Sequence, residues 1–287
     1  MALEKWIITP DESRVIDLAA VPKIKVGLVG GQVDIVAHDE PDIRIEVHSV
    51  TVKDLRIEVT ADQVEISHAR LRWDNFFEVF RNFGAGGPRA EISIAVPRTT
   101  GLSLGVVSAS ALIAGLAAPA RLNAVSGDLI VDGLTGDVSV NSVSGDVQIL
   151  GLEGSLNANS VSGDIAVTGT LRQATVDTVS GATLIDTTGA VDSLNVNTVS
   201  GTTTLRIDEG LAANYVARSV SGRVILDGQV RSGLGTGPGT NYAGSHGELS
   251  GTFVDVCVNS VSGGITVLRR AEAAEVTDEP AHTGQEW

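Results

Sequence analysis

Residues 121–164 read RLNAVSGDLIVDGLTGDVSVNSVSGDVQILGLEGSLNANSVSGD, and two periods run through them at once. The tripeptide Val-Ser-Gly begins at Val125, Val143 and Val161, so one period is 18 residues. Gly127, Gly136, Gly145, Gly154 and Gly163 fall nine residues apart, so each unit carries two turns with a strand between each pair. Leu129/Val131, Val147/Ile149 and Ile165/Val167 give those segments the alternation of a strand buried on one face. Glycine at the turns supplies the positive φ that a tight corner requires.

Outward from this stretch the tripeptide recurs at Val179, Val199, Val220 and Val261, and Val107 opens the variant Val-Ser-Ala. The four steps from Val107 are each 18 residues, the next two are 20 and 21, and the last is 41. That last gap holds a Gly-rich insertion at 229–247, including GLGTGPGT, and without it about one ordinary repeat remains. The expected fold is all-β: a solenoid of coils about 18 residues long over 101–268, with equivalent residues stacked at about 4.8 Å. A meander of nine-residue strands has the same glycine spacing, but identity at 18 residues favours one coil per unit. Asn123, Asn141, Asn159, Asn197 and Asn259, each two places before the Val, should then form a hydrogen-bonded column, with Asp177 and Arg218 as exceptions. Stacking in chain order would give eight coils.

Residues 1–100 lack the period yet contain strand-like runs at Lys23–Leu28, Val33–Ala37, Ile43–Val47, Leu55–Val59, Val64–Ser67 and Glu91–Val96. They are expected to cap the stack, because an open solenoid end is an edge that invites aggregation. Residues 269–287 read as a polar, disordered tail.

Composition narrows the function classes. The net charge of −15 opposes nucleic acid and anionic lipid as partners. The single Cys257 excludes an internal disulfide framework or a multi-cysteine metal site. The opening MALEKWIITPDESRV has no apolar run of a secretory signal, which predicts a cytoplasmic protein starting near Met1. Thr99 to Ala120 is uncharged and about as long as a bilayer span. Its glycines, serines and in-register Val107 mark it as buried strands, so direct membrane insertion is not expected.

Taken with the EISIAVP strand ending at Pro97 and the VSGD turns at Val125–Asp128, Val143–Asp146 and Val161–Asp164, the chain resembles the bacterial β-strand-repeat family of putative adhesins known as Toastrack. The resemblance runs over about residues 5 to 268. It implies a right-handed β-helix and a link to bacterial envelope-stress or membrane-associated signalling. It implies no enzymatic activity and supplies no catalytic residues. The missing secretion signal and the insertion before Gly251 depart from the family pattern.

Candidate chemistry is sparse. Asp128, Asp146 and Asp164 form a carboxylate column that could hold calcium, but the GGxGxDxUx motif of calcium β-rolls is absent and Asp after Gly is an ordinary turn former. No metal and no cofactor is expected. The five histidines show no metal-ligand spacing, GLVGGQ at Gly27–Gln32 lacks the ending of a phosphate loop, and Ser126, Ser144 and Ser162 have no fixed His neighbour. An enzyme acting on envelope polysaccharide would want paired carboxylates and aromatic platforms. Between Gly101 and Leu268 the aromatics are only Tyr215, Tyr242 and Phe253.

The interaction candidates lie in 71–83, LRWDNFFEVFRNF. There Trp73, Phe76, Phe77, Phe80 and Phe83 recur at helical spacing and predict one short amphipathic helix with an aromatic face. That face either packs on the cap or docks a protein partner or a second copy, and self-association as a homo-oligomer is the favoured destination. The sequence thus predicts a non-catalytic structural or interaction scaffold. The competing readings are a β-helix enzyme on envelope polysaccharide and a surface adhesin.

Overall fold

The structure, a computed structural model, describes residues 4–68, 87–231, 239–249 and 251–270. The described residues are all-β and contain no helix. The helix expected over 71–83 lies outside them.

The repeat closes into coils as its spacing predicts. Strand β8 (Gly101–Ala114) pairs in parallel with β9 (Ala120–Ser126) through its first half and with β10 (Leu129–Asp132) through its second. Next come β11 (Val138–Ser144), β12 (Val147–Ser162) and β13 (Ile165–Ser180), in parallel and with an 18-residue offset at Val140↔Ala158 and Ile149↔Val167. Two parallel ladders result, one on each side of the Val-Ser-Gly corner. The stretch that could have passed for a membrane helix is β8 and the turn after it.

Alternation dictates the core. In the first ladder Val26, Leu104, Leu122, Val140, Ala158 and Val176 stack in register and are buried. In the second, Ile113, Val131, Ile149, Val167, Ile185 and Leu205 do the same. Small residues, Ala124, Ser142, Ser160, Thr178 and Thr198, fill the inside of the corner, where the bend leaves little room.

The stack begins before its sequence signature does. Strand β3 (Lys23–His38) pairs with β8 along its whole length, Lys23↔Gly101 to Val36↔Ala114. Val29-Gly30-Gly31 thereby occupies the place of Val107-Ser108-Ala109, so GLVGGQ is the turn of a first, degenerate coil. Repeat identity fails there because Gly30 replaces the corner Ser. A Cβ on Gly30 would come within 3.2 Å of the Arg89 side chain, at the start of the next strand out.

Both ends are closed by antiparallel strands. At the N-terminal end β6 (Gln63–His68) and β7 (Arg89–Pro97) flank β3 in parallel. Beyond them β5 (Leu55–Val59) and β1 (Glu4–Ile8) finish one ladder, and β4 (Asp42–Thr51) and β2 (Arg14–Ala19) the other. An antiparallel final strand breaks the repeating parallel edge that another solenoid could extend.

The other end departs from chain order. After β14 (Thr183–Thr187), β15 (Ser193–Ser200) and β16 (Thr203–Asp208) come β17 (Ala212–Ser219) and β18 (Val224–Leu226) in sequence. Yet the coil stacked on β15 and β16 is the last one, β21 (Phe253–Ser262) with β22 (Ile265–Arg270). Strands β17 and β18 pair on its far side. The insertion supplies β19 (Gln229–Arg231) and β20 (Thr240–His246), antiparallel to β18 and β17, and so forms the end cap. The chain-order stack expected from the repeat is corrected accordingly. Strand β22 also holds Arg269 and Arg270, which the sequence reading assigns to the tail.

Candidate interaction surface

The outer side of the first ladder carries the asparagine column. The Asn141 Nδ2 donates to Asn123 Oδ1 at 3.0 Å, and Asn159 donates to Asn141 at 3.1 Å. Asn197 donates to Asp177 Oδ1 at 2.7 Å, and Asn259 to Asn197 at 2.8 Å. Each amide therefore points its NH2 at the preceding level, and the column follows stacking order, with Asn259 between Asn197 and Arg218. Asp177 breaks the relay, since a carboxylate accepts from Asn197 but has no proton for Asn159. Beside the column stand Ser139, Asn157, Thr175, Asn195 and Cys257. On a chain of charge −15, these two neighbouring columns carry one charge, Asp177, from Ser139 to Asn259.

At the edge of this face lies the corner valine column. Val29, Val107 and Val125 are buried together, with 3–4% exposure. Val161, Val179, Val199 and Val261 are 48–49% exposed, and Val220 is 57% exposed. The same residue type in the same backbone setting is covered at one end of the molecule and bare at the other. About 4.8 Å between levels makes the bare part a continuous apolar ridge, not scattered methyl groups.

The Asp column ties backbone from one coil to the next. Asp128 Oδ1 accepts the Asp146 N–H at 3.1 Å, Asp146 accepts the Asp164 N–H at 2.9 Å, and Asp164 accepts the Ala182 N–H at 2.7 Å. Each carboxylate caps a corner amide of the next coil. Among the described residues, no three His, Cys, Asp or Glu side chains gather to hold a metal.

One pairing resembles catalytic machinery. His48 Nε2 lies 2.9 Å from Ser93 Oγ, at a β-bulge between β4 and β7. Ser93 lines a shallow open groove of about 420 Å³ with Asp34, Arg44 and Glu46. Arg44 is held protonated, chiefly by its hydrogen bond to Glu46 at 2.6 Å and by nearby Asp17. Among the described residues no carboxylate accepts a hydrogen bond from His48, so the pair has no third member to orient the ring. Burial lowers the pKa of His68 to about 4. Its neutral Nδ1 accepts the Val29 N–H at 3.3 Å, and its Nε2 lies toward the Arg89 backbone, which partly offsets the effect of burial.

Trp73, Phe76, Phe77, Phe80 and Phe83 lie outside the described residues. Ser144 and Ser162 are exposed and end strands β11 and β12 at the corner. Sequence reasoning places the asparagine column correctly but misses the valine ridge. The signal was available: Val-Ser-Gly puts a valine outside the buried alternation of both neighbouring strands.

The family model for Toastrack DUF4097 matches residues 21–268. No curated protein matches the chain. Among solved structures, the chain is similar to a putative adhesin from Bacteroides fragilis, with 12% identity, 91% of this chain and 99% of that one covered, and a TM-score of 0.42. It is also similar to a putative lipid binding protein from Parabacteroides distasonis, at 14% identity, 92% and 99% coverage, and a TM-score of 0.36. A third is a putative cell adhesion protein from Clostridium sporogenes, at 14% identity, 90% and 100% coverage, and a TM-score of 0.28.

Proposed function

The chain belongs to the Toastrack family, and from that premise we propose that it is a non-catalytic scaffold whose bare valine ridge and nearly uncharged asparagine face dock a protein partner or a second copy. The observation that carries this reading is the change along one column, from 3–4% exposure at Val29, Val107 and Val125 to about half exposure from Val161 onward. Completing the burial of a half-exposed valine is worth about 0.8 kcal/mol, and five in a row give a partner a rigid edge that needs little ordering. The adjoining face lacks the like charge that would repel a second acidic surface. The right-handed winding, a cytoplasmic location and a role in envelope-stress signalling belong to the same proposal. An unpaired Cys257 fits a reducing compartment.

The test is the triple variant Val161→Asp, Val179→Asp, Val199→Asp. It should keep the β circular dichroism and lose association in sedimentation, or lose a partner captured by the unmodified chain from its native host. Unchanged sedimentation together with unchanged capture would remove the ridge from the account. A hydrolytic role finds one supporting observation, the Ser93–His48 pair. Turnover of ester or glycan substrates that Ser93→Ala abolishes would make that reading the better one.

A further inference from the structure

The last coil in the chain is not the last in the stack. Residues 253–270 lie between two coils that are consecutive in sequence, 193–208 and 212–226. Those walls are in register with each other through the inserted coil: Asn197, Asn259 and Arg218 share one column, and Thr203, Ile265 and Val224 another. The direct offset, Asn197 to Arg218, is 21 residues, an ordinary coil step in this chain. The walls could therefore close on each other, and the inserted coil fills a slot that the fold does not need in order to stack.

The slot has its own recognition chemistry. The link from β16 to β17 climbs past two levels instead of one, and within it the Leu211 N–H donates to the Asp208 carbonyl at 3.3 Å. Arg269 of the inserted coil clamps this link, its NH1 facing the carbonyls of Asp208 and Glu209 at 3.2 Å each and that of Leu211. The same guanidinium reaches Asp227 Oδ1 at 3.1 Å and the Tyr215 hydroxyl at 2.6 Å. Burial pushes the Tyr215 pKa up to about 12, so the phenol stays protonated and donates to Asp227 at 3.2 Å. Arg270 pairs with Asp186 and, at 3.2 Å, with Asp208. Arg269 and Arg270 thus give the insert two guanidinium donors for acceptors on the stack around it, while Asn214 and Arg218 of one wall donate back to Asp255 and Asn259 of the insert.

We propose that this slot is a coil-acceptor site that also takes the C-terminal coil of a second copy, joining chains by exchange. Nothing in the acceptor set distinguishes an Arg269 from the same chain and one from another. The coil hangs from β20 by residues 247–252, a tether with glycines at 247 and 251. Exchange of an identical element between protomers needs no new contacts, only release and recapture. The inference does not depend on the valine ridge, and it can fail while the scaffold reading stands.

Cys257 is the sole cysteine and pairs across the ladder with Asn195 on one wall and Val216 on the other. Asn195→Cys therefore reports occupancy of the slot, since register neighbours at about 4.8 Å are within disulfide reach. Val216→Cys is the control, because Cys257 would neighbour it in either stacking order. The full-length Asn195→Cys variant is concentrated, passed through moderate urea, returned to buffer and oxidised with copper phenanthroline. A disulfide-linked dimer, rising with concentration and mixing tagged with untagged chains, is expected. An intrachain disulfide alone at every concentration would overturn the exchange. No disulfide in Asn195→Cys, with one in Val216→Cys, would overturn the insertion itself.

Discussion

Replacing Gly145 with Ala should cost far more than the same change at Gly133, although both glycines have positive φ. At Gly133 φ is +62° and an added Cβ meets nothing within 4 Å, so the cost is the left-handed conformation alone, about 1–2 kcal/mol. At Gly145 φ is +127°, in a region nearly closed to side-chain-bearing residues, which costs about 1–3 kcal/mol. There the Cβ would also sit 2.4 Å from the Gly127 carbonyl oxygen of the adjacent coil. The clash is with backbone, so the coils must part, and the Asp146 N–H bond to Asp128 is among those stretched, at about 1 kcal/mol each. The sum is about 3–5 kcal/mol, against about 1–2 for the control. Urea unfolding followed by circular dichroism measures both variants in one experiment. Equal midpoints for the two would refute the claim that consecutive corners are stacked in contact.

Three further outcomes follow from the same contacts. Asn141→Ala removes one bond to Asn123 and one from Asn159 and should cost about 1–2 kcal/mol in urea unfolding, whereas an exposed asparagine without partners would cost almost nothing. His68 is buried neutral with its pKa lowered to about 4, so the unfolded chain binds a proton that the folded chain refuses. Its contribution is complete above about pH 6.5 and is lost as pH falls toward 4, up to about 3 kcal/mol; His68→Gln should flatten this part of the stability profile. Excess EDTA should leave the β circular dichroism and the urea midpoint unchanged, because the Asp128, Asp146 and Asp164 carboxylates already accept backbone N–H groups.

The coil, the corner glycines and the asparagine column are legible in the sequence because stacking like on like makes the chain repeat itself. Every level of Asn123, Asn141 and Asn159 solves the same hydrogen-bonding problem with the same residue. Where the environment differs between levels, the repeat fades and so does the reading. The first coil hides because Gly30 and Gly31 stand where Ser and Gly stand elsewhere, beside β7 instead of another repeat. The order of the last coils is illegible for the opposite reason. Quasi-equivalent coils fit above or below one another equally well, so the choice rests on contacts to the β16 side such as Arg270 meeting Asp186 and Asp208, which have no local pattern. The Asp column reads in the sequence as turn chemistry, but its partner amides lie 18 residues away, a distance set by the stack and not by the turn.

Carbene footprinting of the assembled protein in native-host extract, compared with the purified chain, tests the central claim most directly. The valine ridge should be protected in the assembly at Val161, Val179, Val199 and Val220, while Ile130 and Leu184, exposed on the second ladder, label equally in both states. Equal labelling of the ridge in both states, or protection confined to the second ladder, would contradict the account.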